Sequence, residues 1–524
     1  MSELIPATDD NPARIALDSQ FVLPRRIAMW AASDPDRPFL TEVTGRSLTY
    51  GEVRQTVRRW CGWLRDHGVS RGARFFTMVP ASIDAVCLWL AAGCLGALEI
   101  PVNPELRGDF LVHALTVAGA SLCVVRPEFA PVVRESGVPG LRVAIVGRDA
   151  DATAGYPAAD PGEFPRPEDP ACVIYASGTT GPAKGVVLSW AQFSATIGRI
   201  PRSWLASGDA VYCCHPMFHA TGRTPLLSMA DVGGRVVLRE KFSARAFLID
   251  VRRHECTTTT AYVPLLLAAP EQPDDADNPL RVVLASCGAA QARRLEGRFG
   301  VRVIECYGST EAGFPLALRD RPDERHRWCG LPRRGYQIRV VGSNGAEVPD
   351  GEIGELWVRP LARPLLMLGY LDQPKATAAA ITSDGWYRTG DAVIQHPGGH
   401  VEFVDRMRDT IRRHGENISS AAVEAVVAAD PAVEACAVVG VPGPVADQGL
   451  LLAVVPTRPN ALRPEELWLR VASRLPRSMR PAYIVVYDDL PRTPTNKIRK
   501  VGLLEQLDLQ CAWRPRRDDV HRSA

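Results

Sequence analysis

Hydrophobic and polar residues alternate in two different periods along the first three quarters of the chain. Apolar residues that recur every three or four positions predict helices at Tyr50–Asp66 and Ile83–Leu98. Short apolar runs bounded by turn residues predict strands between and after these helices. The expected strands are Phe75–Val79, Ser121–Val125, Val143–Val146, Cys172–Tyr175, Ala210–Cys213, Arg235–Leu238, Arg281–Ala285 and Val303–Glu305. Alternation of this kind predicts an α/β fold built in layers.

The pattern changes toward the C-terminus. A β-rich stretch is expected around Gln337–Val341, Gly354–Val358 and His400–Phe403. Beyond Asp405, helices and strands are expected at Ser420–Ala428, Val433–Val441, Leu450–Val455, Pro464–Leu475 and Tyr483–Val486. We therefore predict a large N-terminal domain over residues 1–404, with layered α/β subdomains and a β-rich subdomain. A small, mobile α+β lid domain is predicted over residues 405–524, with a hinge near Asp405.

The composition of the 524 residues is ordinary for a soluble globular protein, with 46% hydrophobic residues, 23% charged residues and a net charge of +2. Nothing in this balance favours a nucleic-acid partner. The longest apolar run, AVCLWLAAGCLGAL at residues 85–98, is too short to span a membrane and predicts a buried helix. The polar, acidic N-terminus lacks the features of a signal peptide, so we predict a cytoplasmic protein.

The cysteines and lysines narrow the chemistry. The 13 cysteines are odd in number and contain no CxxC pair, which argues against a disulfide framework or a zinc site. Of the 61 lysines and arginines, five are lysines, at Lys184, Lys241, Lys375, Lys497 and Lys500. An arginine bias of this kind suggests a GC-rich genome and replaces lysine wherever a generic positive charge suffices. The remaining lysines are therefore candidates for sites that need a compact, mobile ammonium group.

Lys184 lies in a stretch rich in glycine and hydroxyl side chains, YASGTTGPAKGVVLS at residues 175–189. The predicted strand that ends at Tyr175 precedes the stretch, and a helical pattern starts near Ser189. A glycine-rich loop between a strand and a helix exposes backbone N–H groups that can surround phosphate oxygens. The spacing excludes the P-loop, because Gly185 stands where a metal-binding hydroxyl is required. A phosphate-binding loop of another kind is the prediction, and a flexible surface loop is the alternative.

The stretch resembles the phosphate-binding motif of the acyl-adenylate-forming superfamily, which includes acyl-CoA ligases, carrier-loading adenylation domains and firefly luciferase. Five further motifs of this family follow in order. They are SCGAA at residues 286–290, CYGSTE at 306–311, GWYRTGD at 385–391, VDRMRDTIRRHGENI at 404–418 and LPRTPTNKIR at 490–499. The resemblance covers nearly the whole chain. The surroundings of FSARAF at residues 242–247 look most like the carnitine/crotonobetaine-CoA ligase branch.

The resemblance implies a nucleotide site for ATP, or for a preformed acyl-adenylate. Its phosphate-loop positions are Ser177, Gly178, Thr179, Thr180, Gly181 and Lys184. Its adenine positions are Gly288, Ala289, Ala290, Tyr307, Gly308 and Ser309, with Tyr307 expected to stack on the base. Small residues at these positions allow a flat base to approach the backbone.

The family motifs also imply the residues that bind the α-phosphate, the metal and the ribose. Thr310 is expected to contact the α-phosphate, and Glu311 to hold Mg²⁺, for which a carboxylate oxygen is the preferred kind of ligand. Asp391 can accept hydrogen bonds from both ribose hydroxyls. Arg406 matches the arginine that contacts ribose or phosphate in the family.

Three further positions carry the chemistry that the resemblance implies. Lys497 aligns with the lysine that bridges the substrate carboxylate and the α-phosphate, where a cation relieves the repulsion between two anions. Gly415 lies where the family passes the pantetheine arm of coenzyme A. His219, in HPMFHATG at residues 215–222, matches a histidine at the entrance of the acyl pocket, although a lone histidine can also be structural.

The implied reaction is the AMP-forming ligation of a carboxylic acid to coenzyme A through an acyl-adenylate. The expected partners are a small-molecule carboxylic acid, ATP/AMP and coenzyme A, with no membrane span, and a homodimer is one assembly that the sequence allows. The acid pocket is expected near Met217–Gly222, Tyr262–Leu266, Cys287–Ala290 and Ala312–Leu316. These residues are mostly small or apolar, which favours a hydrophobic acid. No aromatic cage or carboxylate for a quaternary ammonium group is evident in them.

Three departures from the family pattern affect the first half of this reaction. Ala176 replaces the usual threonine, Asn496 replaces a glycine and Arg408 replaces a lysine. An enzyme that mainly transfers a preformed acyl-adenylate to coenzyme A is therefore one alternative. Loading of a carrier protein is another alternative. We expect such a carrier to be a separate protein, since few residues follow Lys497. A non-catalytic nucleotide-binding protein is a third alternative. No motif assigns a base to a cysteine, so covalent catalysis is not expected.

Overall fold

The computed structural model describes residues 12–147, 153, 155–160, 162–176, 184–318, 328–342, 344–406, 410–413, 416–442, 448–458, 462–491, 498, 500–505, 507 and 509–515. The helices are α1 (Pro12–Leu17), α2 (Leu23–Ser33), α3 (Tyr50–Asp66), α4 (Ile83–Leu95), α5 (Gly108–Val117), α6 (Ala130–Glu135), α7 (Trp190–Ser194), α8 (Ala220–Val232), α9 (Ala244–Arg253), α10 (Val263–Ala268), α11 (Ala289–Phe299), α12 (Pro374–Ala380), α13 (Ser420–Ala428), α14 (Pro464–Ala472) and α15 (Lys500–Glu505).

The strands before the long sheet turns antiparallel are β1 (Pro38–Glu42), β2 (Ser47–Thr49), β3 (Arg74–Met78), β4 (Leu98–Pro101), β5 (Leu122–Val125), β6 (Arg142–Ile145), β7 (Pro170–Ala176), β8 (Lys184–Ser189), β9 (Ala210–Cys213), β10 (Arg235–Leu238), β11 (Thr258–Thr260), β12 (Val282–Ala285) and β13 (Arg302–Ser309). The later strands are β14 (Gly313–Leu318), β15 (Trp328–Pro332), β16 (Tyr336–Val341), β17 (Ile353–Pro360), β18 (Gly369–Tyr370), β19 (Tyr387–Gln395), β20 (Val401–Arg406), β21 (Thr410–Arg413), β22 (Glu416–Ser419), β23 (Val433–Pro442), β24 (Gln448–Pro456) and β25 (Tyr483–Val486).

A long mixed sheet dominates the described part of the chain. Its order is β16-β17-β19-β20-β15-β14-β13-β12-β11-β9-β10-β1-β2. The run from β13 to β1 is parallel, and the strands from β14 to β16 pair antiparallel. A separate parallel sheet has the order β4-β3-β5-β6, and a smaller sheet has the order β18-β8-β7. This architecture confirms the predicted α/β class with a β-rich part.

The C-terminal elements form a small α+β unit of their own. Strands β23, β24 and β25 make a three-stranded sheet. Its apolar core includes Val423 of α13, Leu452 of β24 and Trp468 of α14. This agrees with the predicted small C-terminal domain. The boundary at residues 404/405 stays a prediction.

The sequence pattern located most elements correctly. Helix α3 has the predicted bounds, and every predicted strand overlaps a strand of the structure. The helix predicted to reach Leu98 ends at Leu95, because Gly96 takes the left-handed conformation with φ +65° and the chain continues into β4. The helix predicted to end at Leu475 ends at Ala472.

The surroundings of the phosphate loop differ from the prediction. The chain was expected to leave the loop into a helix near Ser189, but residues Lys184–Ser189 form β8, which pairs antiparallel with β7. Tyr175 lies opposite Gly185, and Ala176 lies opposite Lys184. The stretch therefore connects two strands of a hairpin, and the expected helix N-terminus is not part of it. Helix α7 begins at Trp190 with Ser189 as its N-cap, so the helix expected near Ser189 is present, but it follows the additional strand β8.

Helix α4 forms the centre of the large core. Each of its residues is buried, which agrees with the apolar pattern on all its faces. Trp89 of α4 stacks on Trp190 with ring centroids 5.0 Å apart. A Cβ atom at Gly93 would lie 2.3 Å from the Trp190 ring, so the close packing of α4 against α7 requires glycine there.

The small C-terminal unit contacts the large domain at the start of α5. Arg474 donates to the Asp109 carboxylate over 2.7 Å, and both side chains are exposed. The neighbouring Phe110 packs against the apolar core of the C-terminal unit. Across the described ranges, no helix combines the length and the apolar character that a membrane crossing requires.

Candidate active site

Four parallel strands bring the predicted site segments to one edge of the long sheet. Tyr212 of β9 lies beside Thr259 of β11, Thr260 lies beside Leu284 of β12, and β12 continues the register to β13. Neighbouring strands lie about 4.8 Å apart, so the segments after these strands share a surface roughly 15 Å wide. The stretch HPMFHATG at residues 215–222, here called the histidine segment, follows β9. Tyr262 follows β11, SCGAA follows β12, and CYGSTE begins in β13 and extends past its end.

The SCGAA segment turns sharply between β12 and α11. Gly288 has φ +81° and donates its N–H to Glu305 Oε1 over 2.8 Å. A Cβ atom at Gly288 would meet nothing within 4 Å, so the backbone conformation and not crowding requires glycine. Ala289 and Ala290 begin α11 beside this open space.

Tyr307 and Asp391 meet although they come from different motifs. Tyr307 Oη donates to Asp391 Oδ2 over 2.5 Å, and Asp391 is 4% exposed. The Asp391 N–H donates to Thr389 Oγ1 over 3.1 Å. Burial raises the pKa of Tyr307 well above its ordinary value, so its hydroxyl remains a donor. The predicted adenine and ribose residues are thus adjacent.

Arg406 and Gly308 take positions set by the backbone of the sheet. Arg406 lies opposite Asp391 in the β19–β20 ladder. Gly308 lies where β13 and β14 approach closely, since a Cβ there would be 2.1 Å from the Gly313 carbonyl oxygen. Ser309 Oγ accepts the N–H of Ala312 over 3.1 Å.

Thr310 and Glu311 are fixed through their backbone carbonyl groups. Gln192 Nε2 donates to the Thr310 oxygen over 2.8 Å and to the Glu311 oxygen over 3.2 Å. The Met367 N–H donates to the same Glu311 oxygen over 2.8 Å. Gln192 lies on α7, directly after the β7–β8 hairpin. The motif comparison did not identify Gln192, and no sequence pattern marks it.

Lys184 and Glu311 both contact Tyr370, a second residue that the motif comparison did not identify. The Lys184 ammonium lies 4.8 Å from the centroid of the Tyr370 ring. Tyr370 Oη donates to Glu311 Oε1 over 3.2 Å. The phosphate-loop lysine and the predicted metal ligand are therefore joined through one aromatic side chain.

The donor set around Glu311 fits Mg²⁺. Within the described ranges, no group of three or more His, Cys, Asp or Glu side chains is arranged to hold a metal ion by itself. Mg²⁺ is commonly bound by one or two carboxylates together with substrate phosphates and water, and Glu311 can supply such a carboxylate.

The histidine segment lies at the same edge of the sheet, after strand β9. His215 is 8% exposed and stacks on Tyr262 with ring centroids 4.3 Å apart. Phe218 and His219 lie 4.6 Å apart by their ring centroids. A Cβ at Gly222 would lie 2.2 Å from the Pro216 carbonyl oxygen, so the tight turn of this segment requires glycine.

Both histidines of this segment are neutral near pH 7. Burial lowers the pKa of His215 from 6.5 to about 3 and that of His219 to about 4. The two imidazoles therefore bring no positive charge to this part of the site near pH 7.

A buried ion pair between Arg223 and Glu99 anchors the backbone of the histidine segment. Arg223 Nη1 lies 2.8 Å from Glu99 Oε2, and Glu99 Oε1 accepts the Thr77 hydroxyl over 2.7 Å. Arg223 Nε donates to the Met217 carbonyl oxygen over 2.7 Å. Arg223 is fully buried, so it fixes the backbone between His215 and His219 without reaching the surface.

Acid is expected to destabilise the protein through His215. Between pH 6.5 and about 3 the unfolded chain binds a proton that the folded His215 does not, so stability falls as the pH falls through this window. The slope is at most about 1.4 kcal/mol per pH unit for one histidine. His215→Phe keeps a ring against Tyr262 and removes the titration. Urea unfolding from pH 4 to 7 should give a flatter pH dependence for this variant, and equal slopes would contradict the prediction.

Burial makes two of the cysteines, Cys172 and Cys213, poor nucleophiles at neutral pH. Burial raises the pKa of Cys172 and Cys213 to about 12. None of the 13 cysteines, all of which the structure describes, forms a disulfide, and Cys287 is half-buried, Cys511 exposed and the others buried.

Several predicted site residues lie outside the described residues. They are Ser177, Gly178, Thr179, Thr180 and Gly181 of the phosphate loop, with Gly415 and Lys497. Arg408 and Asn496, two of the departures from the family pattern, lie outside them as well. Their roles stay predictions.

Known proteins match this chain in sequence and in fold. Crotonobetaine/carnitine–CoA ligase from Salmonella paratyphi C (strain RKS4594) is 27% identical over 491 residues, which cover 87% of this chain and 93% of that protein. The structure of amide bond synthetase McbA from Marinactinospora thermotolerans has a TM-score of 0.81 and 27% identity, and the match covers 93% of this chain and 99% of McbA. The o-succinylbenzoate CoA synthetase of Bacillus subtilis shares the fold, with a TM-score of 0.81, 24% identity and coverage of 92% and 98%.

Family profiles match both parts of the chain. The profile described as AMP-binding enzyme matches residues 27–371, and the profile described as AMP-binding enzyme C-terminal domain matches residues 422–497. These matches confirm the resemblance that the six motifs indicated. The chain therefore belongs to the AMP-binding enzyme family.

Proposed function

We propose that the protein activates a carboxylic acid with an uncharged, largely apolar acyl chain as its acyl-adenylate and transfers the acyl group to coenzyme A. The observation that carries this proposal is the meeting of separate motifs at one edge of the sheet. Asp391 accepts from Tyr307, and Glu311 is joined to Lys184 through Tyr370. These contacts support a shared site for the residues that we propose to bind ribose, metal and phosphate.

In the first half-reaction, the carboxylate of the acid attacks the α-phosphorus of ATP and pyrophosphate leaves. Asp391 and Tyr307 orient the nucleoside, and Lys184 offers positive charge to the departing phosphates. Glu311 would hold Mg²⁺ together with phosphate oxygens, and the ion would neutralise phosphate charge when bound. Lys497 is proposed to lie between the carboxylate and the α-phosphate, where a fixed cation lowers the barrier.

In the second half-reaction, the thiol of coenzyme A attacks the acyl carbonyl carbon. The thioester forms, the thiol proton is lost to solvent or base, and AMP leaves with the bonding electrons. This step needs access for the thiol, which we propose to pass near Gly415 after the C-terminal domain has rotated about Asp405. A hinged lid would then serve both half-reactions.

The acyl side favours an uncharged acid over one that carries a quaternary ammonium group. His215 and Tyr262 stack nearly parallel at 12°, so each ring covers a face of the other. A cation requires the open faces of aromatic rings or a nearby carboxylate. The neutral imidazoles of His215 and His219 instead suit a flat or branched apolar acyl group.

Two half-reaction assays test the proposal. Acid-dependent exchange of pyrophosphate into ATP measures adenylation, and thioester formation from a synthetic acyl-adenylate measures transfer. We expect both signals with coenzyme A as acceptor. Transfer without exchange would overturn the full ligase in favour of an enzyme impaired in adenylation, as Ala176, Arg408 and Asn496 would allow. If neither signal is seen with any acid, the result would favour a non-catalytic nucleotide-binding protein.

The acceptor and the acid are tested in the same assays. A carrier protein and a primary amine are compared with coenzyme A, the amine because the similar McbA is an amide bond synthetase. Faster product formation with either would overturn the choice of coenzyme A. Aromatic and branched aliphatic acids are compared with carnitine-type acids at equal concentration. Activity confined to carnitine-type acids would contradict the proposed acid class.

A further inference from the structure

We propose that Tyr370 is a positioning residue that separates the Lys184 ammonium from the Glu311 carboxylate and holds both in place for ATP and its metal. This inference rests on the proposed function, since it assigns Lys184 to phosphate and Glu311 to Mg²⁺. Its basis is a set of contacts made by Tyr370, which lies outside the six motifs quoted above.

The backbone fixes Tyr370 directly beside the strand that leaves the phosphate loop. Strand β18 pairs antiparallel with β8, with Tyr370 opposite Val186. The Leu371 N–H donates to the Gly185 oxygen over 2.8 Å. Side chains two residues apart lie on the same face of a strand, so Lys184 is the diagonal neighbour of Tyr370 on that face. This register explains why the ammonium lies over the ring.

The hydroxyl of Tyr370 orients Glu311. It donates to Oε1 over 3.2 Å, and among the described residues no hydrogen bond or ion pair reaches Oε2. A tyrosine hydroxyl carries its proton at neutral pH, so it is the donor in this hydrogen bond. Tyr387, which is 5% exposed, lies next to this hydroxyl. The carboxylate is therefore held at one oxygen and presented at the other.

The ring also prevents a competing ion pair. No salt bridge joins Lys184 to Glu311 among the described residues, although both side chains contact Tyr370. A direct pair would neutralise the charge that phosphate needs from Lys184 and the charge that a metal needs from Glu311. The aromatic ring attracts the ammonium through its face without neutralising it. Tyr370 thus keeps two opposite charges near each other and available.

Two substitutions separate the roles of the hydroxyl and the ring. Tyr370→Phe removes the bond to Glu311 and keeps the ring between the charges. Tyr370→Leu also removes the ring, so Lys184 and Glu311 are free to pair. Tyr50→Phe is the matched control, because the Tyr50 hydroxyl is buried and donates to the Gly234 oxygen over 2.9 Å, remote from the site.

The readouts are the Mg²⁺ and ATP dependence of pyrophosphate exchange, and the shift in melting temperature caused by ATP with Mg²⁺ or with EDTA. We expect Tyr370→Phe to raise the half-saturating Mg²⁺ concentration about tenfold, as a lost hydrogen bond to a charged group predicts, with the ATP requirement unchanged. We expect Tyr370→Leu to raise both requirements at least about tenfold and to reduce the Mg²⁺-dependent melting shift. Tyr50→Phe should resemble the wild type in all ligand-dependent readouts.

An unchanged Mg²⁺ requirement in Tyr370→Phe would overturn the proposal, and so would equal ligand dependence in Tyr370→Leu and the wild type. If Tyr370→Leu does not fold, the Phe variant decides. If the wild type exchanges no pyrophosphate with any acid, the proposed function fails, while the melting shifts with ATP and Mg²⁺ still test Tyr370.

Discussion

Replacing Glu311 by glutamine is expected to slow acid-dependent pyrophosphate exchange by about 100-fold or more, the range found when one preorganised charge-stabilising group is removed. Glutamine keeps the size of the side chain, and the backbone anchors from Gln192 and Met367 do not involve the carboxylate. The loss would therefore report the missing charge toward the metal. Exchange measured across a range of Mg²⁺ concentrations checks the prediction.

The matched control for this change is Glu347→Gln, because the Glu347 side chain is 62% exposed and pairs only loosely with Arg339 over 3.7 Å. We expect the control to exchange pyrophosphate at the wild-type rate. Transfer from a synthetic acyl-adenylate should fall much less in Glu311→Gln than exchange does. If Glu311→Gln exchanged pyrophosphate at the wild-type rate at low Mg²⁺ concentration, the role of Glu311 in holding the metal would be refuted.

Breaking the buried pair of Glu99 and Arg223 is expected to give the largest loss of stability. The side chains are 3% and 0% exposed, so Arg223→Met leaves an unpaired carboxylate in the core. Removing one partner of such a pair typically lowers the free energy of unfolding by about 3–5 kcal/mol. Urea unfolding of the variant and the wild type at pH 7 measures the difference.

A double substitution distinguishes charge from packing. Glu99→Leu together with Arg223→Met removes both charges, and we expect it to recover most of the stability that Arg223→Met loses. The histidine segment should still be disturbed in the double variant, because the hydrogen bond from Arg223 to the Met217 oxygen is lost. A single variant that loses less than about 1 kcal/mol would contradict the prediction, since that is the range of an exposed pair.

The fold was predictable where local signals were strong. Helix α3 extends over 17 residues with a regular apolar stripe, and its bounds match the prediction. The residues after the phosphate loop carry no such signal. The run GVVL is short and apolar, a pattern shared by buried strands and helices, and its pairing with β7 decides the outcome. Strand β8 was missed for this reason, whereas the helix expected near Ser189 is present as α7, with Ser189 as its N-cap.

The candidate site was predictable where family motifs contain the residues. Tyr307, Glu311 and Asp391 were named from their motifs, and the structure brings Tyr307 and Asp391 together. Gln192 and Tyr370 lie between motifs. Gln192 reaches Thr310 across 118 positions of the chain, and Tyr370 reaches Glu311 across 59 positions. Contacts at such separations depend on the assembled sheets and helices and leave no local pattern.

The distribution of thiols makes the native protein suitable for site-directed labelling. Cys511 is exposed in the C-terminal part, while Cys287 is half-buried beside the SCGAA turn and the remaining cysteines are buried. A maleimide fluorophore should therefore react first at Cys511, because buried thiols have raised pKa values and poor access. Peptide mapping would check the site, and modification mainly of another cysteine would contradict it. The single dye would then test the proposed rotation of the C-terminal domain without any engineered residue.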